Sequence, residues 1–178
     1  MQGSIEGELS LIVLEQHARW PSCVNQYQST LPNSLVEAQV EGEHAGEFAE
    51  RVGRRIASVA SKGGRPRVAI IAANSLLDPV TLRARYRLAQ AAVRAMGLSG
   101  ELVLTASPYD APTDIEDDRV RHELFALAGT LCDEVAGTEI SVSVRFPQPT
   151  ERSGLMPSVH RVSDAAQVAA DTDNVASG

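Results

Sequence analysis

Two spacings of apolar residues alternate along the chain as far as about residue 148. Short apolar runs and strict apolar–polar alternation are typical of strands, whereas apolar positions three and four apart indicate helices. The strand patterns lie at 9–15, 34–40, 67–73, 101–106 and 139–146. The helical patterns lie at 21–31, 44–62, 78–96 and 117–136. The predicted order is therefore β-α-β-α-β-α-β-α-β.

Strands that alternate with helices predict a single doubly wound, three-layer α/β/α domain around a five-stranded, mostly parallel sheet. The two most apolar strands, 9–15 and 67–73, are expected at the centre of this sheet, where both of their faces would be covered. The alternating strands, 34–40 and 139–146, are expected at its edges. This arrangement favours the flavodoxin-like strand order 2-1-3-4-5, with 3-2-1-4-5 as the alternative.

The composition fits one domain with an aliphatic core, followed by a tail. Hydrophobic residues make up 43% of the 178 residues but aromatic residues only 4%, so Ala, Val, Leu and Ile must fill the interior. Residues 1–148 are expected to form the domain. Residues 149–178 have little regular apolar spacing and are expected to be disordered. We find no signal peptide and no apolar run of about 20 residues, so we expect a cytoplasmic protein without membrane contact.

Polar residues follow the predicted strands at the edge of the sheet where open α/β folds bind ligands. Glu15 and His17 come at the end of the first strand, and a carboxylate and an imidazole there could act as base and acid. Glu15 is the more informative, because a carboxylate that ends an apolar strand is costly to bury without a partner. The candidate ligand-binding residues at the same edge are Asn74, Ser75, Asp78, Ser107, Tyr109 and Asp110.

Several of these candidates also have a structural interpretation. Asp78 precedes Pro79, which is the arrangement of an N-cap and a first helical residue. Asn74 and Ser75 are residue types that turns favour. His17 could be an exposed or packed histidine with no chemical role. Two interpretations of these residues therefore remain at this edge: they bind a ligand, or they only stabilise the loops.

No motif in the sequence indicates a cofactor or a metal. The chain has no G-x-x-x-x-G-K-[ST], no G-x-G-x-x-G after a strand, no G-x-S-x-G and no H-E-x-x-H. Cys23 and Cys132 are far apart, so neither a disulfide framework nor a zinc site is expected. Leu102–Ser107 resembles the fourth strand of response-regulator receiver domains, but Asn74 stands where a receiver has its phosphoacceptor aspartate. This resemblance covers six residues and assigns the chain to no family.

Charge is unevenly distributed along the chain, whose net charge is −7. Residues 51–94 carry ten basic side chains and one acidic one, whereas 1–50 and 95–178 carry net charges of −7 and −9. Helical spacing places several arginines opposite the apolar faces of two helices that we expect to lie side by side. The arginines of this predicted basic patch are Arg51, Arg55, Arg83, Arg87 and Arg94.

The basic patch could receive a carboxylate-rich or phosphate-rich partner. An alternative is that it is only a solvated surface, because Glu47 and Glu50 precede Arg51 and Arg54 by four residues and could pair with them. We expect a second copy of the chain or an acidic protein as the partner. Nucleic acid is not expected, because the chain is acidic overall.

The leading functional hypothesis is a non-catalytic regulatory or interaction module that binds a partner, itself or a small anion through this patch. The first alternative is a small hydrolase or transferase with its site at the carboxyl ends of the first, third and fourth strands. The second is a nucleotide-binding domain without turnover. The absence of a catalytic motif favours the interaction module over an enzyme.

Overall fold

A mostly parallel sheet with long helices makes up the part of the chain that the computed structural model describes, residues 7–18, 21, 23–24, 27, 33–106, 114–146 and 160–161. The strands are β1 (Gly7–Leu14), β2 (Ser34–Ala38), β3 (Gly64–Ala73), β4 (Ser99–Ala106), β5 (Glu139–Arg145) and β6 (His160–Arg161). The helices are α1 (Ala45–Ser61), α2 (Pro79–Met96) and α3 (Asp114–Glu134). Most of the helix predicted at 21–31 lies outside the described residues, although Val24 and Tyr27 have helical backbone.

The strand order in the sheet is β2-β1-β3-β4-β5-β6. The first five strands pair in parallel, which confirms the predicted order 2-1-3-4-5 and rules out 3-2-1-4-5. The prediction that the fifth strand forms an edge is wrong, because β6 pairs antiparallel with β5 through Ser143 and Val144. An added strand satisfies backbone groups that an edge leaves open.

Apart from β6, residues 149–178 lie outside the described residues, and their disorder stays a prediction.

Two apolar layers cover the sheet. The larger one lies between the sheet and α1, α2 and α3, and β1 contributes Leu11 to it while β3 contributes Ile71. The smaller one lies on the opposite face, where Ile12 and Ile70 pack with Val24. Both faces of β1 and β3 are therefore buried, as their apolar runs predict. The arrangement is that of a flavodoxin-like α/β domain.

The two ends of α2 are fixed by local chemistry. At its start, one carboxylate oxygen of Asp78 accepts hydrogen bonds from the backbone N–H groups of Val80 and Thr81, as the Asp-Pro sequence predicts. At its end, Gly97 adopts a positive φ of 78°. Beyond it, a Cβ on Gly100 would come within 2.8 Å of the sulfur of Met96, so a larger residue there would require the Met96 side chain to shift.

Candidate functional site

A buried ion pair occupies the carboxyl edge of the sheet where the chain reverses between β1 and β3. Glu15 directly follows β1, and Arg85 reaches it from α2. Nε of Arg85 lies 2.7 Å from Oε1 of Glu15, and Nη2 lies 2.7 Å from Oε2. The two side chains are only 1% and 4% exposed, for Arg85 and Glu15 respectively. This bidentate geometry provides the partner that a buried carboxylate requires.

Asn74 connects this ion pair to the ends of both strands. Its backbone N–H donates to Oε2 of Glu15 at 2.9 Å, and its side-chain Nδ2 donates to the carbonyl of Gln16 at 3.2 Å. Its Oδ1 accepts from the backbone N–H of Leu76 at 3.0 Å, which is typical of an Asx turn. The predicted meeting of Glu15 and Asn74 at this edge is therefore present, and their polar atoms bind each other.

The other candidates at this edge have separate surroundings. His17 is exposed and has a φ of 66°, the only positive φ among the described non-glycine residues. No described contact joins it to the carboxylate of Glu15. Ser75 is exposed, and Asp78 is engaged in the α2 cap, where hydrogen bonds from Thr81 lower the pKa of its carboxyl group. The predicted ligand-binding residues outside the described part of the chain are Ser107, Tyr109 and Asp110.

These contacts bear on the predicted catalytic pair, Glu15 and His17. Both oxygens of Glu15 accept hydrogen bonds from Arg85, and one also accepts from Asn74. Proton abstraction by Glu15 would require the ion pair to open first, so the geometry favours a structural role for this carboxylate. Catalysis by this pair stays a prediction.

The burial of Arg85 corrects the predicted orientation of α2. The sequence pattern predicts Leu82, Tyr86, Ala89, Val93 and Met96 on the inward face. Ala89 and Met96 are buried as predicted, whereas the other three are only half-buried. Residues buried on this helix include Arg85, Leu88 and Ala92, among others. The pairing with Glu15 explains the difference, because Arg85 can reach the end of β1 only if its side of the helix faces the sheet. The role of Arg85 as the partner of Glu15 was not predicted, because its sequence context resembles that of the other arginines of the helix.

The two α1 arginines of the predicted basic patch, Arg51 and Arg55, are already paired. Arg51 binds Oε1 of Glu43 at 2.8 Å and Oε2 of Glu37 at 2.7 Å, and Arg55 lies 3.7 Å from Glu37. Hydrogen bonds from Arg51 hold the pKa of Glu43 below its ordinary value. The partners thus come from β2 and the loop after it, whereas the sequence suggested Glu47. This half of the predicted patch has little charge left for a ligand.

The arginines of α2 have a different environment. Arg83, Arg87 and Arg94 are exposed, and at about 100° per residue they fall within a sector of about 40° around the helix axis. The helix has no acidic residue, and none of the three arginines forms an ion pair among the described residues. We call this surface, formed by Arg83, Arg87 and Arg94, the α2 basic face. As predicted, α1 and α2 pack side by side.

The end of the α2 basic face borders a cavity at the amino edge of the sheet. The cavity has a volume of about 420 Å³, and Arg65, Arg67 and Arg94 line it together with Glu8. Nη1 of Arg67 donates to Oγ of Ser99 at 2.7 Å. Positive charge therefore continues from the outer side of α2 to the starts of β3 and β4.

The fold alone defines the class of this protein. No family model matches the chain, and comparison with curated proteins and with solved structures finds no match. Across the described ranges, no three His, Cys, Asp or Glu residues are grouped as metal ligands would be. No helix in that part of the chain combines the length and apolar character needed to cross a bilayer.

Proposed function

We propose that this flavodoxin-like domain is a non-catalytic interaction module that binds an acidic protein surface through the α2 basic face. The observation that supports this proposal most directly is the exposure of Arg83, Arg87 and Arg94 without any ion pair among the described residues. Arg51 and Arg55, the α1 members of the predicted basic patch, have carboxylate partners within the same chain, which distinguishes them from the arginines of the α2 basic face.

The α2 basic face is held by a rigid support. Asp78 caps the helix, its inner side packs on the sheet, and Arg85 anchors it to the end of β1. Arginines on an anchored helix lose less backbone entropy on binding than the same residues on a loop. Each guanidinium group can also bind a carboxylate through two hydrogen bonds. The geometry therefore suits the carboxylates of an acidic protein.

A second copy of the chain is the first partner to test. Residues 1–50 and 95–178 together outweigh the basic segment and make the whole chain acidic, with a net charge of −7. Each copy thus offers both a basic face and acidic surface, which supports association between copies. Such contacts weaken as the salt concentration rises, because exposed charges are screened.

Both carboxylate oxygens of Glu15 accept hydrogen bonds from Arg85, so the hydrolase or transferase alternative has no free base at that position. The nucleotide-binding alternative also stays a prediction. Neither has an observation in its favour comparable to the exposed arginines of α2.

The experiment compares the charge-reversal variant Arg83→Glu/Arg87→Glu with the matched control Arg54→Glu/Lys62→Glu, whose residues are also exposed. Sedimentation velocity at low and high ionic strength measures self-association, and titration with poly-L-glutamate measures binding to an acidic chain. We expect the first variant to bind at least about tenfold more weakly, because close charge pairs at interfaces contribute about 1.5 kcal/mol or more. The control should behave like the wild-type protein.

If the wild-type chain neither self-associates nor binds poly-L-glutamate at low ionic strength, the proposal is wrong. It is also wrong if both double variants weaken binding equally, because net charge would then explain the effect without the α2 basic face. Circular dichroism of both variants checks that the fold is unchanged.

A further inference from the structure

Positive charge converges on the cavity at the amino edge of the sheet, opposite the edge that Glu15 and Arg85 occupy. The cavity has a volume of about 420 Å³ and is lined by the start of β3, the end of α2 and the turn into β4. Three arginines are among its lining residues, Arg65 and Arg67 from β3 and Arg94 from α2. Two elements that are separate in the sequence therefore bring three guanidinium-bearing residues to one cavity.

An irregularity in β3 accompanies the position of Arg67. The register between β1 and β3 shifts after Leu9, which pairs with Pro66, because the next residue of β1 pairs with Val68. Arg67 is therefore an extra residue in β3, as in a β-bulge, and bulges often redirect a side chain at a functional site. Nη1 of Arg67 donates to Oγ of Ser99, another lining residue, at 2.7 Å. This contact uses one of the five N–H donors of the guanidinium group and leaves donors for a ligand.

The charges around the cavity do not balance. Among the described lining residues Glu8 is the only acid, and it is the register partner of Arg65 in the β1–β3 pair. No ion pair within the described ranges involves Arg65, Arg67 or Arg94. The last carbonyl groups of α2 add partial negative charge at the same end. The lining residues still carry three positive charges against one negative charge, so the cavity favours an anion with more than one charge.

The spacing of the arginines indicates which kind of anion fits. Arg65 and Arg67 are two residues apart, which corresponds to about 6–7 Å along a strand. Guanidinium groups bind phosphoryl oxygens through paired hydrogen bonds, and two groups at this separation can each bind a different phosphoryl group of one molecule. The cavity volume equals that of about 14 water molecules in the liquid, which is more than a single phosphate ion would fill.

From this arrangement we infer that the cavity at the amino edge binds a small molecule through a diphosphate group. Arg65 and Arg67 each donate to one of the two phosphoryl groups, and Arg94 adds positive charge from the end of α2. Arg94 also belongs to the α2 basic face, but Arg83 and Arg87 are not among the residues that line the cavity. The inference therefore does not depend on the proposed function.

Inorganic pyrophosphate is the probe, and sulfate is its control because sulfate has only one group of oxygens. We follow both titrations by amide chemical shifts of the full-length chain, at constant ionic strength and without divalent cations. Pyrophosphate should shift the signals of Gly97, Leu98 and Ser99, which line the cavity. Sulfate should bind at least about tenfold more weakly, because it cannot engage both arginines of β3 at once.

Two substitutions should change the affinity for pyrophosphate in opposite directions. Arg67→Gln removes a positive charge and should weaken binding at least about tenfold. Glu8→Gln removes a repulsive charge and should strengthen binding about two- to fivefold, which loss of structure could not produce. The matched controls are Arg54→Gln on α1 and Arg83→Gln on the α2 basic face, both at exposed positions outside the cavity. Both controls should bind pyrophosphate as the wild-type chain does.

The inference is overturned if pyrophosphate shifts no signals of residues 97–99, or if sulfate binds as tightly as pyrophosphate. It is equally overturned if Arg67→Gln and Arg54→Gln weaken binding to the same extent, because net charge alone would then explain the effect. Circular dichroism checks the fold of each variant. If Arg67→Gln does not fold, Arg65→Gln replaces it, because Arg65 is exposed and has no described hydrogen bond through its side chain. Unchanged binding by that variant would overturn the inference as well.

Discussion

At the scale of single residues, Glu15 and Arg85 determine how α2 meets the sheet. A lone buried charge is strongly unfavourable, but the two groups satisfy each other through two hydrogen bonds of 2.7 Å. Glu15 also holds the backbone of Asn74, so the same carboxylate joins the ends of β1 and β3. The pair therefore acts as a connection among three elements.

Removing one member of the pair should destabilise the fold more than removing both. Arg85→Met leaves a buried carboxylate without a counterion, and Glu15→Gln leaves a buried guanidinium in the same condition. We expect each single variant to lose about 3–5 kcal/mol of unfolding free energy. The double variant should be more stable than either single variant, because neither charge is left alone. Urea unfolding of the four proteins measures this cycle.

Additive losses in the double variant would contradict this account, because they would show that the two side chains do not interact. Ser58→Ala, at a partly exposed position on α1, serves as a control for which we expect a change within about 0.5 kcal/mol.

The sequence could show only half of this arrangement. A carboxylate at the end of an apolar strand requires a partner, and that requirement can be predicted from Glu15 alone. The partner could not be predicted, because Arg85 is 70 positions away and shares its helix with three other arginines. Its local sequence does not distinguish it from the exposed ones.

At the scale of elements, α1 is attached to β2 through the side chain of Arg51. This side chain binds Glu37 on β2, Glu43 in the loop before the helix, and the carbonyl of Ala38 at 2.9 Å. Glu43 in turn accepts a hydrogen bond from the backbone N–H of Val40 at 3.1 Å. These contacts fix the turn that leads from the strand into the helix.

Acid should weaken this connection. The hydrogen bonds from Arg51 lower the pKa of Glu43 in the folded state below its ordinary value of 4.5. The stabilisation is therefore fully present above about pH 4.5 and is lost as the pH falls through the lower, folded-state pKa. Glu43→Gln should be less stable than the wild-type chain at neutral pH, and the difference should shrink as the pH falls below about 4.5.

Urea midpoints for the two proteins across this pH range measure the effect. Glu47→Gln is the matched control, because Glu47 is exposed in the first turn of the same helix and is not among the carboxylates that bind Arg51. A constant difference between Glu43→Gln and wild type at all pH values would contradict the assigned role of Glu43.

At the scale of the whole molecule, the sheet has a protected centre and a less protected side. β1 and β3 have neighbours on both sides and apolar layers on both faces, whereas β2 is the end strand on one side of the described sheet. Local opening is rarest where backbone groups are paired on both sides and buried.

The rates of amide hydrogen exchange should be lowest at the centre of the sheet and higher in β2. We expect the amides of Ile12, Ile70 and Ile71 to exchange most slowly, at rates close to those of global unfolding. The amides of β2 should exchange faster, because among the described strands β2 has a partner on one side only. Hydrogen–deuterium exchange followed by NMR measures both sets in one experiment, and equal protection of β2 and β3 would contradict the expectation.

The fold was predictable to a greater extent than the candidate site. Apolar runs at residues 9–15 and 67–73 place their strands at the centre of the sheet, because only covered strands can be apolar on both faces. Which arginines are neutralised depends on where distant carboxylates lie after folding. Glu37 and Glu43 compensate the charge of Arg51 in this way, and helical spacing carried no information about it.

The bond between Glu15 and Arg85 also constrains the order in which the chain assembles. It closes a loop of 70 residues that contains β2, α1 and β3, so the entropic cost of that loop must be met before the bond can form. Until α2 docks, the end of β1 carries an unneutralised carboxylate that opposes the withdrawal of water. Completion of the central sheet and docking of α2 should therefore occur in a single cooperative step.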